Sequence, residues 1–159
     1  MKNFGSGARW AEVFLAALVS GSAASLASTT VLSICGRREE CDPSGPLNGP
    51  SQWLWGRSAA HESGFSVRHT VAGFAIHHAM SVFWAAFFEG LLHRKRPSST
   101  AVVGTALATA AVACVVDYRV VPERLTPGFE HHLSRKSLAL TYVVFGLALA
   151  GTFLAARKR

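Results

Sequence analysis

The sequence predicts an all-α protein whose four hydrophobic helices cross a membrane as a bundle. Half of its 159 residues are hydrophobic and only 16% are charged, whereas a soluble domain carries about a quarter of charged residues. The charges are also confined to short clusters, such as residues 93–96 and 157–159, which separate long apolar stretches. This alternation is typical of membrane spans and their connecting loops, so we expect residues 1–159 to form a single integral membrane domain.

Four segments are long enough to cross the hydrocarbon core of a bilayer. A helix needs roughly 20 apolar residues to span about 30 Å, and it satisfies its own backbone polar groups where no water can do so. The predicted spans comprise residues 10–35, 67–92, 101–121 and 138–156. We expect each of them to form one transmembrane helix.

The first span could instead be a cleaved signal peptide, because Lys2 and Arg9 precede its apolar run and small residues lie near Ala24 and Ala27. The run is, however, longer than the core of a signal peptide, which has about 7–15 residues. Small residues also recur at every fourth position, at Ala17, Gly21, Ser25 and Thr29. Since such a ridge lets a neighbouring helix approach closely in lipid, we predict a retained span.

The distribution of charge predicts an orientation. The N-terminal tail, the turn at residues 94–96 and the tail at residues 157–159 are basic without acidic residues, whereas the loop at residues 36–66 contains both signs. The positive-inside rule therefore places both termini in the cytoplasm, and we expect a multi-pass protein of the bacterial inner membrane. Two loops, residues 36–66 and 122–137, would then face outward.

The outward loops contain several features of their own. Thr126 followed by Pro127 is typical of a helix start, so we expect a short interfacial helix over residues 127–133. Trp53 and Trp55 are expected at the level of the lipid headgroups, with a substrate-stacking platform as the alternative. Cys35 and Cys41 lie at the outer mouth of the first span, where the compartment is oxidising; they either form a disulfide or remain free thiols.

The second span carries polar residues where lipid would surround it, namely His77, His78, Ser81 and Glu89. Ionisable groups in a membrane are costly and normally face the bundle interior or a wet cavity. His78, Ser81 and Glu89 share one face of the helix, but about 16 Å along the axis separates His78 from Glu89. We therefore predict a non-enzymatic protein that binds or passes a small molecule, proton or ion along these four residues. Neutral imidazoles bonded to other helices are the alternative.

A second hypothesis is a redox or hydrolytic protein that holds a transition metal or a haem. Its ligands would come from His77, His78, Asp117, Glu130, His131 and His132. The spacing is not diagnostic, because the chain has no HExxH motif and no repeated ExxH pair. A structural network of Asp117, Arg119, Arg68 and Glu130, holding the outer loops on the bundle, would explain the same residues.

Other classes of function have less support. The chain lacks a Gly-rich phosphate loop, a GxSxG elbow and a kinase signature. Its net charge of +7 comes from residues at the ends of the spans, so we expect contact with lipid headgroups and not with nucleic acid. A third hypothesis is an accessory subunit whose small-residue ridges contact partner helices or a second copy.

The motif NGPSQWLWG at residues 48–56, followed by Arg68-His69-Thr70, Gly73, His77-His78, Ser81 and Phe88-Glu89, resembles a group of small four-span bacterial membrane proteins of unknown function. The span with His, Ser and Glu is also loosely similar to the YagU-type inner-membrane family. The resemblance is confined mainly to the first loop and the second span. It implies a fold and a location, but no reaction and no ligand.

Overall fold

Helix accounts for 84% of the structure, a computed structural model that describes residues 4–93 and 95–157. No strand occurs within these ranges, which confirms the all-α prediction. Lys2, Arg94, Lys158 and Arg159, on which the predicted orientation partly depends, lie outside the described residues.

Four helices are long and apolar enough to cross a membrane, which indicates a multi-pass membrane protein. Helix α1 runs from Phe4 to Glu40 and α2 from Ala72 to Leu92, the latter preceded by a π-helical turn at Val67–Val71. Helix α3 runs from Ser99 to Val115 and continues as a π-helical turn at Val116–Val120. Helix α4 runs from Arg135 to Ala156.

Three helix ends extend past the predicted spans because polar side chains stabilise additional turns, and α1 also begins before residue 10, at Phe4. Ser98 and Ser134 cap α3 and α4, their hydroxyls accepting from the amides of Ala101 and Ser137. Helix α1 extends five residues past position 35, to Glu40. There Glu39 accepts a hydrogen bond from the amide of Ser134 at 2.6 Å, which joins the end of α1 to the start of α4.

The helices pack around α1, which contacts α2 and α4, while α3 packs on α4 and on α2. We call the end of the molecule with the turn at residues 93–98 the turn side. The opposite end, with residues 41–66 and 121–134, is the loop side. Both long loops therefore lie at the same end of the four helices.

Small side chains bring the helices close together away from the loops. A Cβ on Gly21 of α1 would lie 2.6 Å from the Cα of Val82 on α2. The predicted ridge thus packs within the chain, since Ala17 and Ser25 are also fully buried. The core beside it contains Ala17, Ala24, Ala85, Phe88, Leu92, Val102, Ala106, Ala110, Phe145, Leu149 and Ala150. Contact of α3 with a partner helix remains a prediction.

The first loop folds back over the helix ends as four short helical turns within residues 45–61, which we call the cap. Asn48 of the cap is fully buried. Its amide group donates to the carbonyls of Glu62 and Gly64, and its carbonyl oxygen accepts from the hydroxyl of Thr70 at 2.6 Å. Close to it, a Cβ on Gly73 would lie 2.0 Å from the carbonyl oxygen of Leu47. The cap is therefore seated directly on the start of α2.

The second loop, residues 121–134, is less helical than predicted. In place of a helix over residues 127–133, it has 3-10 turns at Glu123–Leu125 and Phe129–His131. Thr126 does not cap a helix, because its hydroxyl contacts the carbonyl of Glu123 and the carboxylate of Glu130. Gly128 adopts a left-handed conformation with φ of 75°, which prevents a helix from continuing out of Pro127.

Candidate functional site

A cavity lies between the four helices on the loop side, under the cap. The space open to the centre of a water-sized sphere is about 60 Å³. A cavity of this size has room for more than one water. It is lined by Ser28, Pro50, Trp53, Ile76, His77, Met80, Ser81, Trp84, Ala113, Asp117, Leu125, Pro127, Phe129, Thr141, Tyr142 and Phe145.

Most of the cavity wall is apolar or aromatic. Trp53 comes from the cap, Trp84 from α2, Phe129 from the second loop, and Tyr142 and Phe145 from α4. The indole N–H of Trp53 donates to the carbonyl of Thr126 at 3.2 Å, which fixes the cap against the second loop. A concave apolar wall with a few polar groups is the usual composition of a small-molecule site.

Of the four residues of the predicted path, His77 and Ser81 reach this wall. The Nε2 atom of His77 lies 2.9 Å from the hydroxyl of Ser28 on α1, and its ring packs edge-on against Phe129. Ser81 donates to the backbone carbonyl of His77 at 2.8 Å, the ordinary i to i−4 bond of a serine inside a helix. The imidazole is thus held in place from α1 and from the second loop.

Asp117 enters the cavity from the π-helical turn that ends α3. The hydroxyl of Tyr142 on α4 donates to its Oδ2 atom at 2.6 Å, and the ring of Tyr118 packs edge-on against that of Tyr142. The Oδ1 atom has no hydrogen bond or ion pair to any residue that the structure describes. Asp117 is also the sole carboxylate, and no lysine or arginine is present, among the described residues that line the cavity.

The other two residues of the predicted path lie elsewhere on the α1–α2 interface. Nε2 of His78 is 3.4 Å from the hydroxyl of Ser22, and Glu89 is 7% exposed with a hydrogen bond to Ser20. Neither lines the cavity. His78 and Glu89 also lie far apart along α2, so the four residues do not form one continuous path.

The six predicted metal ligands do not converge. No group of three or more His, Cys, Asp or Glu side chains in the described part of the chain is placed to hold a metal ion. His77 and Asp117 share the cavity, but His78 faces Ser22 and the remaining three ligands lie in the second loop. The predicted ligands are thus not gathered around one point in the described residues, and the metal or haem hypothesis remains a prediction.

The second loop uses its polar residues to hold the loops together. His132 is buried, with Nδ1 2.7 Å from the carboxylate of Glu40 and Nε2 2.8 Å from the carbonyl of Ala60. His131 stacks on His61 with ring centroids 4.2 Å apart. Burial lowers the pKa of His131 in spite of the nearby Glu130 carboxylate. These contacts join α1, the cap and the second loop.

The predicted network of Asp117, Arg119, Arg68 and Glu130 is replaced by other contacts. The guanidinium of Arg68 lies over the ring of Trp55, 4.4 Å from its centroid. Arg57 forms an ion pair with Glu123 across the two loops, and Gln52, which is 1% exposed, donates to the carbonyl of Thr126 at 2.8 Å. The loops are held on the helices and on each other, but chiefly by side-chain amide groups and by the imidazole of His132.

The two cysteines near the outer end of α1 differ in burial. Cys35 is a buried free thiol at the end of α1, and Cys41 is an exposed free thiol with φ of 59°. The two tryptophans also differ, since Trp53 lines the cavity and Trp55 is exposed beside Arg68. The disulfide and the headgroup position of Trp55 remain predictions.

Sequence reasoning missed Tyr142, Trp84 and Thr141 as parts of the site. Tyr142 is a single polar aromatic residue in an otherwise apolar span, and 25 positions separate it from Asp117. A phenol inside a predicted span is a usable signal, because a buried Tyr hydroxyl normally requires a partner. The identity of that partner depends on the pairing of α3 with α4.

The comparisons with known proteins add no functional assignment to this geometry. No family model, no curated protein and no solved structure matches the chain.

Proposed function

We propose that this protein binds a small molecule in the cavity on the loop side, and that this side faces outward from a bacterial inner membrane, with both termini cytoplasmic. One observation carries the proposal: the polar groups of His77, Ser81, Asp117 and Tyr142, from three helices, meet at one cavity with apolar walls. A pocket of this composition is the default location for a ligand.

Binding is favoured over passage through the membrane. Towards the turn side from the cavity, α1 and α2 touch at Gly21. A Cβ there would lie 2.6 Å from the Cα of Val82 and 3.1 Å from the Cβ of Ala85. A continuous path to Glu89 would require these helices to separate. This contact therefore favours a binding site that opens to one side of the membrane over a path that conducts across it.

The experiment fills the cavity and compares the result with a matched control. Ala113 and Ala111 lie on the same helix, but Ala113 is 2% exposed and lines the cavity, whereas Ala111 faces away from the core. The probes are tetramethylammonium, neopentyl alcohol and pivalate, which have similar shapes and carry positive, zero and negative charge. Binding to purified protein in lipid nanodiscs is measured by tryptophan fluorescence and by calorimetry.

We expect the wild-type protein and Ala111→Phe to bind at least one probe and Ala113→Phe to weaken that binding at least tenfold. If Ala113→Phe melts at the wild-type temperature and binds every probe equally well, the cavity is not the site. Orientation is tested separately by the accessibility of Cys41 to a membrane-impermeant thiol reagent in intact cells. Labelling supports the outward loop side, and labelling in inverted vesicles alone contradicts it.

A further inference from the structure

We propose that the ligand of this cavity is a small organic cation of the alkylammonium class, of about the size of tetramethylammonium. The inference rests on the proposed function, because it names the chemical class that the same cavity would select. Three properties of the wall carry it: the unpaired carboxylate oxygen, the aromatic side chains, and the commitment of nearly all hydrogen-bond donors to protein acceptors.

The charge of the cavity wall favours a cation. The Oδ1 atom of Asp117 is without a partner among the described residues, and no lysine or arginine in those residues lines the cavity. Glu130 lies close enough to Asp117 to interact with it electrostatically, and its Oε2 atom is buried without a hydrogen bond in the described part of the chain. Because an unpaired charge in apolar surroundings is costly, a cationic ligand would be stabilised here.

The histidines nearby already have partners that hold them. The imidazole of His77 is engaged with Ser28 and with the backbone of Ser25. His131 has its Nε2 atom 3.9 Å from the Glu130 carboxylate, and its ring packs at a tilt against that of His61. Neither reaches the free oxygen of Asp117 within the described contacts.

The aromatic residues provide the second property. Trp53, Trp84 and Tyr142 line the same cavity as Asp117, together with two phenylalanines. The faces of such rings attract cations, with Trp the most effective, and aromatic cages are the usual sites for quaternary ammonium groups. A carboxylate in a cavity lined by several aromatic side chains therefore matches an alkylammonium ion both in charge and in apolar surface.

The hydrogen-bond donors argue against an anion or a sugar. Trp53 donates to Thr126, Tyr142 to Asp117, and Ser81 to the carbonyl of His77. Ser28 and Thr141 donate to backbone carbonyls of their own helices. Among the donors of the described lining residues, the indole N–H of Trp84 has no partner. An anion would find one free donor, whereas a quaternary ammonium group needs none.

The size of the cavity limits the cation. The small volume of the cavity, about 60 Å³, suits a compact group such as tetramethylammonium and is too small for a long-chain amphiphile or a folded peptide. A larger molecule would have to displace the cap, which Asn48 and Gln52 hold by buried hydrogen bonds.

The test compares the three isosteric probes on the full-length protein in nanodiscs at constant ionic strength. We expect wild-type protein to bind tetramethylammonium at least tenfold more tightly than neopentyl alcohol and to bind pivalate least. Asp117→Asn should lower the affinity for tetramethylammonium at least tenfold and leave that for neopentyl alcohol within about twofold. Glu123→Gln, which removes an exposed carboxylate outside the cavity lining, should change neither.

Each outcome bears on a different conclusion. If neopentyl alcohol or pivalate binds wild-type protein as tightly as tetramethylammonium, and Ala113→Phe abolishes that binding, the cation proposal is overturned while the binding cavity stands. If no probe binds, or if binding survives Ala113→Phe, the proposed function itself fails.

Folding of the Asp117 variant is controlled by its melting temperature and by its affinity for neopentyl alcohol, which has no charge. A parallel fall in the affinity for neopentyl alcohol and for tetramethylammonium would show a structural effect and overturn the assignment of Asp117 as the counter-charge.

Discussion

The two halves of this molecule use the same four helices in opposite ways. On the turn side, alanines and Gly21 allow the helices to touch, and Phe88 and Leu149 fill the remaining space without leaving accessible surface. On the loop side, His77, Trp84 and Tyr142 stand between the helices and a cavity remains. The size of the side chains at the interfaces therefore decides where the protein is closed and where it can hold a ligand.

The halves also differ in what stabilises them. The turn side relies on close contact of small residues, which is the main source of helix association in lipid. The loop side relies on buried hydrogen bonds of the cap, centred on Asn48 and Gln52. A change in the first half should thus affect the whole fold, whereas a change in the second should affect the cap and the cavity.

The largest effect is expected from Gly21→Val. The new Cβ would lie 2.6 Å from a backbone atom of α2, which cannot move aside as a flexible side chain could, so α1 and α2 must separate at a cost of about 3 kcal/mol. Melting in detergent should show this loss. Gly104→Val is the control, because a Cβ on Gly104 meets nothing within 4 Å; equal destabilisation by both variants would contradict the close crossing.

A smaller and more local effect is expected from Asn48→Ala. The change removes three buried hydrogen bonds and leaves the hydroxyl of Thr70 and two carbonyls without their partner, a loss of about 2–3 kcal/mol. Hydrogen exchange should become faster within residues 45–61 and remain unchanged near Ala85 and Leu149. Ser58→Ala, at an exposed position of the cap, should be silent; faster exchange throughout the helices of Asn48→Ala would show that the halves are not independent.

The smallest effect concerns Asp42, just before the cap. Partial burial raises the pKa of Asp42, but hydrogen bonds from the amides of Gly64, Ser44 and Gly45, with His132 nearby, outweigh it and lower the pKa. Because the folded-state pKa is depressed, the carboxylate contributes stability above the ordinary pKa of about 4. This contribution is lost as the pH falls through the folded-state value.

Asp42→Asn should therefore be less stable than wild type by about 1 kcal/mol at neutral pH, a modest amount since the carboxylate remains partly in water. The difference in melting temperature should shrink below about pH 4, where wild type becomes protonated. Glu62→Gln, at an exposed position of the same loop, serves as the control. A difference that stays constant down to pH 3 would rule out the ionised carboxylate as its cause.

Much of the fold could be predicted from the sequence because hydrophobic length is a local property. Hydrophobic length predicts the second span at residues 67–92, and the structure gives the same segment. The helix ends could not be predicted in the same way. Glu39 extends α1 through a contact with Ser134, a residue 95 positions further along the chain. The short helix expected over residues 127–133 depended on Thr126 as a cap, but that hydroxyl bonds to Glu130 instead.

The candidate site could be predicted only in part, because it also depends on contacts between residues that are far apart in the chain. His77, Ser81 and Asp117 stood out because polar groups inside apolar spans are unusual. Their separation from His78 and Glu89 could not be predicted. The position of a residue around the helix axis decides which neighbour its side chain faces, and the neighbours here belong to α1. Tyr142 and Trp53 joined the site only once α4 and the cap were in place.

The sequence by itself thus determined the four apolar helices, the polar character of the second one and the concentration of loop residues in two long connections. These follow from the free energy of transferring each residue into hydrocarbon, which does not depend on its tertiary contacts. Tertiary structure alone decided that small residues close the turn side, that Asn48 seats a cap on the loop side, and that Asp117 shares one cavity with aromatic side chains. Such contacts join residues far apart in the chain, and their energies exist only after the helices have paired.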